Sequence, residues 1–183
     1  VVHVKGSTVR AALTAYREWY PEECEKVMKL LDPETREIIV GTQPNQWAPI
    51  EAFIRYLQAQ VDVTGDDADK LLTYRSEFVN AREFRGLYKA FIKLSSPESL
   101  LKRIPVLQET FFRGTIVEAK VIEKGKAVFW YKGFEKGHRL MEPIMVGFFR
   151  KLLQLNGAKD PSAVFTVSIG RGEEYAELVL TWH

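Results

Sequence analysis

Apolar and polar positions along this chain follow two periods, and the switch falls near Gly114. Between Gly6 and Phe111 apolar residues recur every three to four positions, the spacing of one helix face. From Thr115 onward they recur every second position, the spacing of one strand face. Val1 to Lys5 alternates briefly and predicts an edge strand. Ser7 reads as a helix cap, followed by Val9, Ala12, Leu13, Tyr16 and Tyr20 on one face. Pro21 opens a second helix, with Glu22 and Glu23 suited to the positive end of its dipole and Val27, Leu30 and Leu31 on its buried side. Asp32-Pro33-Glu34 starts a short helix to about Ile39, and Gly41 to Trp47 reads as a loop. After Pro49, the set Ile50, Phe53, Ile54, Leu57 and Val61 fits an amphipathic helix. The spacing then predicts one long helix over 67–93. A last helix after Ser96-Pro97-Glu98 carries Leu100, Leu101, Ile104, Leu107 and Phe111, with a kink at Pro105.

The C-terminal block reads strand, strand, helix, strand, strand. Thr115 to Glu123 and Ala127 to Lys132 pair through a hairpin at Lys124-Gly125-Lys126. A broadly apolar helix runs from about Leu140 to Leu155 and ends at Asn156-Gly157. Phe165, Val167 and Ile169 alternate in the third strand, and Ala176, Leu178, Leu180 and Trp182 in the fourth. Gly170-Arg171-Gly172 lacks the third glycine and following helix of a dinucleotide loop and reads as a hairpin turn. The fold class is therefore α+β in a single domain: a helical part (6–113) packed on a four-stranded, mainly antiparallel sheet in the ββαββ part (114–183). Ala127 to Lys132 is apolar or aromatic on both faces. That predicts a central strand, with a helix on one side and a second subunit on the other.

Composition narrows the function classes. A net charge of +2 on 183 residues implies no nucleic acid. No apolar run is long enough to span a membrane, and no charged stretch precedes a long apolar one, so a cytoplasmic chain is expected. The opening Val1 suggests a trimmed chain or a fragment. Cys24 stands alone, and His3, His138 and His183 lie far apart, so neither a metal site nor a cofactor is expected. No catalytic residue is assigned: Ser7, Cys24 and Ser168 lack any partner motif, and His138 beside Lys136 and Arg139 reads as a surface histidine.

The long helix holds most of the candidate site residues. Phe84, Leu87, Tyr88 and Phe91 form its apolar stripe, and the same face carries Glu77 and Asn80, with Thr73 beyond. These polar groups either line one end of a pocket, cap other backbone, or emerge into solvent. Tyr88, Phe91, Glu77, Asn80 and Trp130 are the ligand-binding candidates. Gly86, mid-helix, suits the close approach of another helix or a ligand. Arg82, Arg85, Lys89 and Lys93 make a basic stripe, either a solvated face or an interaction surface for an anion, a headgroup or an acidic partner.

Val4-Lys5-Gly6-Ser7-Thr8-Val9-Arg10, Phe84-Arg85-Gly86-Leu87-Tyr88 with Phe91, Ser96-Pro97-Glu98, and Gly170-Arg171-Gly172 with a strand closing on Trp182 together resemble a little-studied family found mainly in myxobacteria. That family is similar to four-vinyl-reductase-type sensor domains, to haem-nitric-oxide-binding-like domains and to subunits of the transport protein particle. The resemblance implies a helical layer on a four-stranded antiparallel sheet, often a dimer, with an apolar ligand held between them. It also removes the zinc version, since no cysteine stands in the last hairpin, and the haem version, since no histidine stands on a helix facing an apolar pocket. The expected function is a non-enzymatic regulatory or scaffold domain acting on another protein or on itself as a homodimer. The alternative is a sensor for an apolar small molecule, and a second alternative is an enzyme with a scattered site.

Overall fold

The local signals form helices where the periodicity places them, and long-range pairing decides the rest. The computed structural model describes residues 1–84 and 87–183, apart from the side chains of Leu87, Tyr88, Lys89 and Phe91. In chain order it comprises β1 (His3–Lys5), α1 (Gly6–Trp19), α2 (Pro21–Leu30), α3 (Pro33–Gly41), β2 (Trp47–Pro49) and α4 (Ile50–Thr64). Then come α5 (Ala68–Glu83), α6 (Leu87–Leu94), α7 (Pro97–Leu101), α8 (Ile104–Phe111) and β3 (Phe112–Arg113). The C-terminal block holds β4 (Ile116–Glu123), β5 (Lys126–Lys132), α9 (Met141–Asn156), β6 (Ser162–Val167) and β7 (Ala176–Thr181).

The main sheet is antiparallel throughout, in the order β4-β5-β7-β6, so the α+β expectation holds. A second sheet departs from it. β1 is not an edge strand but the middle of a three-stranded sheet, with β2 on one side and β3 on the other. Three residues of alternation do not reveal partners that lie far along the chain. The same small sheet explains the start of α1. Lys5, not Ser7, is its cap, and no side chain satisfies the first turn. The loop before β2 does so instead: the backbone N–H groups of Gly6 and Ser7 donate to the carbonyls of Gln46 (2.9 Å) and Pro44 (3.1 Å). A Cβ on Gly6 would lie 1.9 Å from the Gln43 carbonyl oxygen, so only glycine fits there.

The predicted long helix is two helices. α5 closes at Phe84 (φ −80°, ψ 46°), whose ring packs edge-on against Phe148 at 5.7 Å. Gly86 lies outside the described residues. Pro105 sits in the first turn of α8 instead of kinking a longer helix, because Lys102 and Arg103 form a turn between α7 and α8. Ile169–Arg171 is a 3₁₀ turn that precedes left-handed Gly172, so β6 and β7 are joined by a longer loop than a tight hairpin. Leu30 is exposed, and Cys24 and Val27 form the buried side of α2.

α9 is the central element, packed between α5 and the main sheet. Its Phe149 stacks on Phe129 of β5 at 5.8 Å. Gly147 lets α5 approach closely, since a Cβ there would meet the Thr73 carbonyl oxygen at 2.4 Å. Thr73 and Ser76 use this proximity to donate their hydroxyls to the carbonyls of Pro143 (3.3 Å) and Ile144 (2.7 Å). Among the described residues no helix is long and apolar enough to cross a membrane.

Candidate functional site

A cavity of about 230 Å³ opens among the helices. Small residues on α1 make the space, since Ala11, Ala12 and Ala15 fall at helical spacing and face it. Leu72 and Val79 of α5 and Ile104 of α8 line further walls, and Met141, Met145 and Phe149 of α9 form the floor. Tyr131 is the only main-sheet residue among the described lining residues. α9 fills the expected seam between a long helix and the sheet, and the cavity lies among the helices instead. Where the lining reaches the surface it includes a cluster of aromatic rings. Trp19 and Phe78 meet edge to face at 5.0 Å, Tyr74 lies 5.1 Å from Phe78, and both Tyr74 and Phe78 are exposed.

One charged group is buried in this apolar wall. Arg75 of α5 is only 9% exposed. Its guanidinium donates to Gln60 Oε1 of α4 and to Glu23 Oε2 of α2, both at 2.7 Å. It lies within cation–π distance of two rings, Tyr16 (4.4 Å) and Tyr20 (5.1 Å). The Tyr16 hydroxyl donates to the same Glu23 carboxylate at 3.3 Å. Burial, opposed in part by Arg75, pushes the Tyr16 phenol up to about 12, and burial alone pushes Tyr131 higher still. Both are neutral phenols at physiological pH.

The residues singled out from sequence fall on several surfaces. Asn80 does line the cavity, with its amide donating to the Ser76 carbonyl at 2.8 Å. Glu77 does not: it pairs with Arg150 of α9 at 3.0 Å. Trp130 points to the far side of the sheet, stacked on Tyr175 at 4.3 Å and donating to Glu177 at 2.9 Å. β5 places Phe129 and Tyr131 inward, so the residue between them must face out. The side chains of Tyr88, Phe91 and Lys89, and all of Arg85, lie outside the described residues. Arg82 pairs with Glu18 on α1, Lys93 is exposed on α6, and the break after Glu83 separates them onto two helices. Among the described residues of the set, Arg82 and Lys93 thus do not share a helix. His138 is buried rather than on the surface, its Nδ1 accepting from the Glu135 N–H at 3.0 Å and its Nε2 lying 3.6 Å from Glu51.

Arg75 was missed at the sequence level. Its signal was present: Leu72, Arg75, Ser76 and Val79 occupy i, i+3, i+4 and i+7, an arginine inside an apolar template.

No family model matches the sequence, and no curated protein does. Solved structures do match in shape. An unliganded Fe(II) H-NOX protein from K. algicida superposes with a TM-score of 0.71 at 14% identity, covering 98% of this chain and 96% of that one. An H-NOX protein from S. oneidensis in an Fe(II)NO state gives 0.71 at 10% identity, covering 98% and 99%. An oxygen-binding H-NOX domain related to soluble guanylate cyclases gives 0.63 at 12%, covering 97% and 94%. At such identities the likeness concerns architecture, and it extends over nearly the whole chain: this α+β domain is built on the H-NOX fold.

Proposed function

We propose that this chain is a non-catalytic small-molecule sensor domain that takes a largely apolar ligand into the helical cavity. The observation that carries the reading is the cavity itself: about 230 Å³ of space walled mainly by apolar and aromatic side chains. A dry apolar cavity of about 150 Å³ holds benzene, so this one suits a ligand of roughly nine or ten non-hydrogen atoms. The H-NOX neighbours carry iron by their own descriptions, which raises the question of haem here. The wall residues do not fit it. Haem iron takes an axial histidine, a thiolate, a methionine beside a histidine, or a tyrosinate. Neither a histidine nor Cys24 is among the described lining residues. Burial raises the phenols of Tyr16, Tyr20 and Tyr131, Tyr74 stands at the exposed mouth, and no histidine accompanies Met141 or Met145 among the described lining residues.

Naphthalene tests the reading. It raises the melting temperature of the wild-type protein and leaves the cavity-filling variant Ala12→Phe unmoved. Absence of any shift in the wild type removes the sensor reading, and a stoichiometric Soret-absorbing complex after haem reconstitution removes the haem-free version.

A second reading, docking of a protein partner or a second copy, is favoured by the outer face of the main sheet. Val121, Val128, Val179 and Val164 stand in one cross-strand row over all four strands. Val121 and Val164 are 36% and 53% exposed. Gel filtration with light scattering tests it: a concentration-dependent mass that Val164→Lys abolishes supports a self-docking face.

A further inference from the structure

We propose that the cavity takes an amphipathic carboxylate, whose head group binds Arg75 in competition with Glu23. This deepens the sensor reading above and rests on it.

Three observations point the same way. Arg75 is a buried cation on the wall of an otherwise apolar cavity, a costly placement unless something negative answers it. The answering group comes from outside: Glu23 is absent from the described cavity lining, and its side chain is 35% exposed. It sits in the first turn of α2, where a carboxylate released to water still faces the positive helix end. The guanidinium is also under-used. Its hydrogen bonds to Gln60 and Glu23 run from the two terminal nitrogens and leave Nε outside both. A carboxylate entering from the cavity side finds a planar donor fork already packed against the rings of Tyr16 and Tyr20.

The surroundings suit the two ends of such a molecule differently. Tyr20 and Tyr74 flank Arg75 where the lining approaches the surface, so the head group lies near the mouth. The apolar tail extends toward Met141, Met145 and Phe149.

The exchange has a mechanical result. The Glu23–Arg75 ion pair and the Tyr16–Glu23 hydrogen bond tie the start of α2 to α5 and α1. A ligand that takes Arg75 away from Glu23 loosens that tie. Occupancy is thereby reported at the surface of α2, without movement of the sheet.

The test uses the intact chain and calorimetric titration with octanoate, 1-octanol and naphthalene. Octanoate binds about tenfold more tightly than 1-octanol, as expected for a charge-assisted bidentate contact. Glu23→Gln removes the competing charge and strengthens octanoate binding several-fold, leaving 1-octanol unchanged. Arg75→Met abolishes the preference for octanoate while naphthalene still binds. Octanoate no tighter than 1-octanol, or a Glu23→Gln effect equal for both, overturns the proposal even if naphthalene binds. Failure of all three probes overturns the sensor reading together with it. If Arg75→Met does not fold, the head-group comparison and Glu23→Gln decide the matter alone.

Discussion

The two faces of β5 are both apolar and are stabilised in different ways. On the inner face Ala127, Phe129 and Tyr131 are 0%, 0% and 2% exposed, covered by α9 and the cavity wall. On the outer face no helix or strand is stacked over Trp130 among the described residues, and the sheet covers itself. Tyr175 stacks on the indole, the Lys120 ammonium lies 4.2 Å from its ring centroid, and Glu177 accepts its N–H. The inner face depends on an element that arrives from elsewhere in the sequence, and the outer one on cross-strand neighbours. An apolar residue in a strand therefore does not announce a buried face or a ligand. What covers it decides.

The largest expected effect separates the two faces directly. Phe129→Ala leaves a cavity under Phe149 and is expected to destabilise by about 3–5 kcal/mol in chemical denaturation. Trp130→Ala removes a stack and one hydrogen bond at a half-buried site and is expected to cost about 1–2 kcal/mol. Equal losses would break the distinction. Next comes the helix pair behind the inner face. Gly147→Ala drives a methyl against the Thr73 carbonyl, and a loss of about 1–3 kcal/mol is expected, read as a lower denaturation midpoint. A neutral result would mean that α5 and α9 slide apart easily.

The smallest effect belongs to the outer face and depends on pH. Hydrogen bonds from Lys120 and Lys132 hold the Glu118 carboxyl at about 2, and those from Thr166 and Trp130 lower Glu177. Both folded values lie below the unfolded ones, so the contribution is complete above the ordinary carboxylate range and is lost as pH falls through the folded values. Acid titration between about pH 4.5 and 2 should change Trp130 fluorescence, and Glu177→Gln should remove part of that change. The inner face contains no carboxylate in β5 and should not respond. A transition confined to neutral pH would contradict this assignment.

The helices of the N-terminal half and the ladder of the main sheet were legible because each is written in local periodicity. Phe129 and Tyr131 could be placed on one face by counting, and Trp130 on the other. Their partners could not, because α9 and Tyr175 reach β5 through tertiary packing. The break in the predicted long helix was hidden for a related reason. Phe84 continues the apolar stripe by spacing, yet leaves the helix to pack on Phe148. The cavity was illegible in a different way. Ala11, Ala12 and Ala15 look like good helix formers, and nothing local says that their small size leaves a space unfilled.

The place of β1 between β2 and β3 sets an order of assembly. Val4 pairs with Ala48 on one side and Phe112 on the other. As the chain is synthesised, β1 has one partner at 47–49 and waits for the second until 112–113 emerge. One edge of β1 stays open in the meantime, and the apolar faces of α1 and α4 have no floor until α9 follows. Synthesis in chain order thus presents the α1, α4 and α5 residues that wall the cavity before the α9 residues that form its floor.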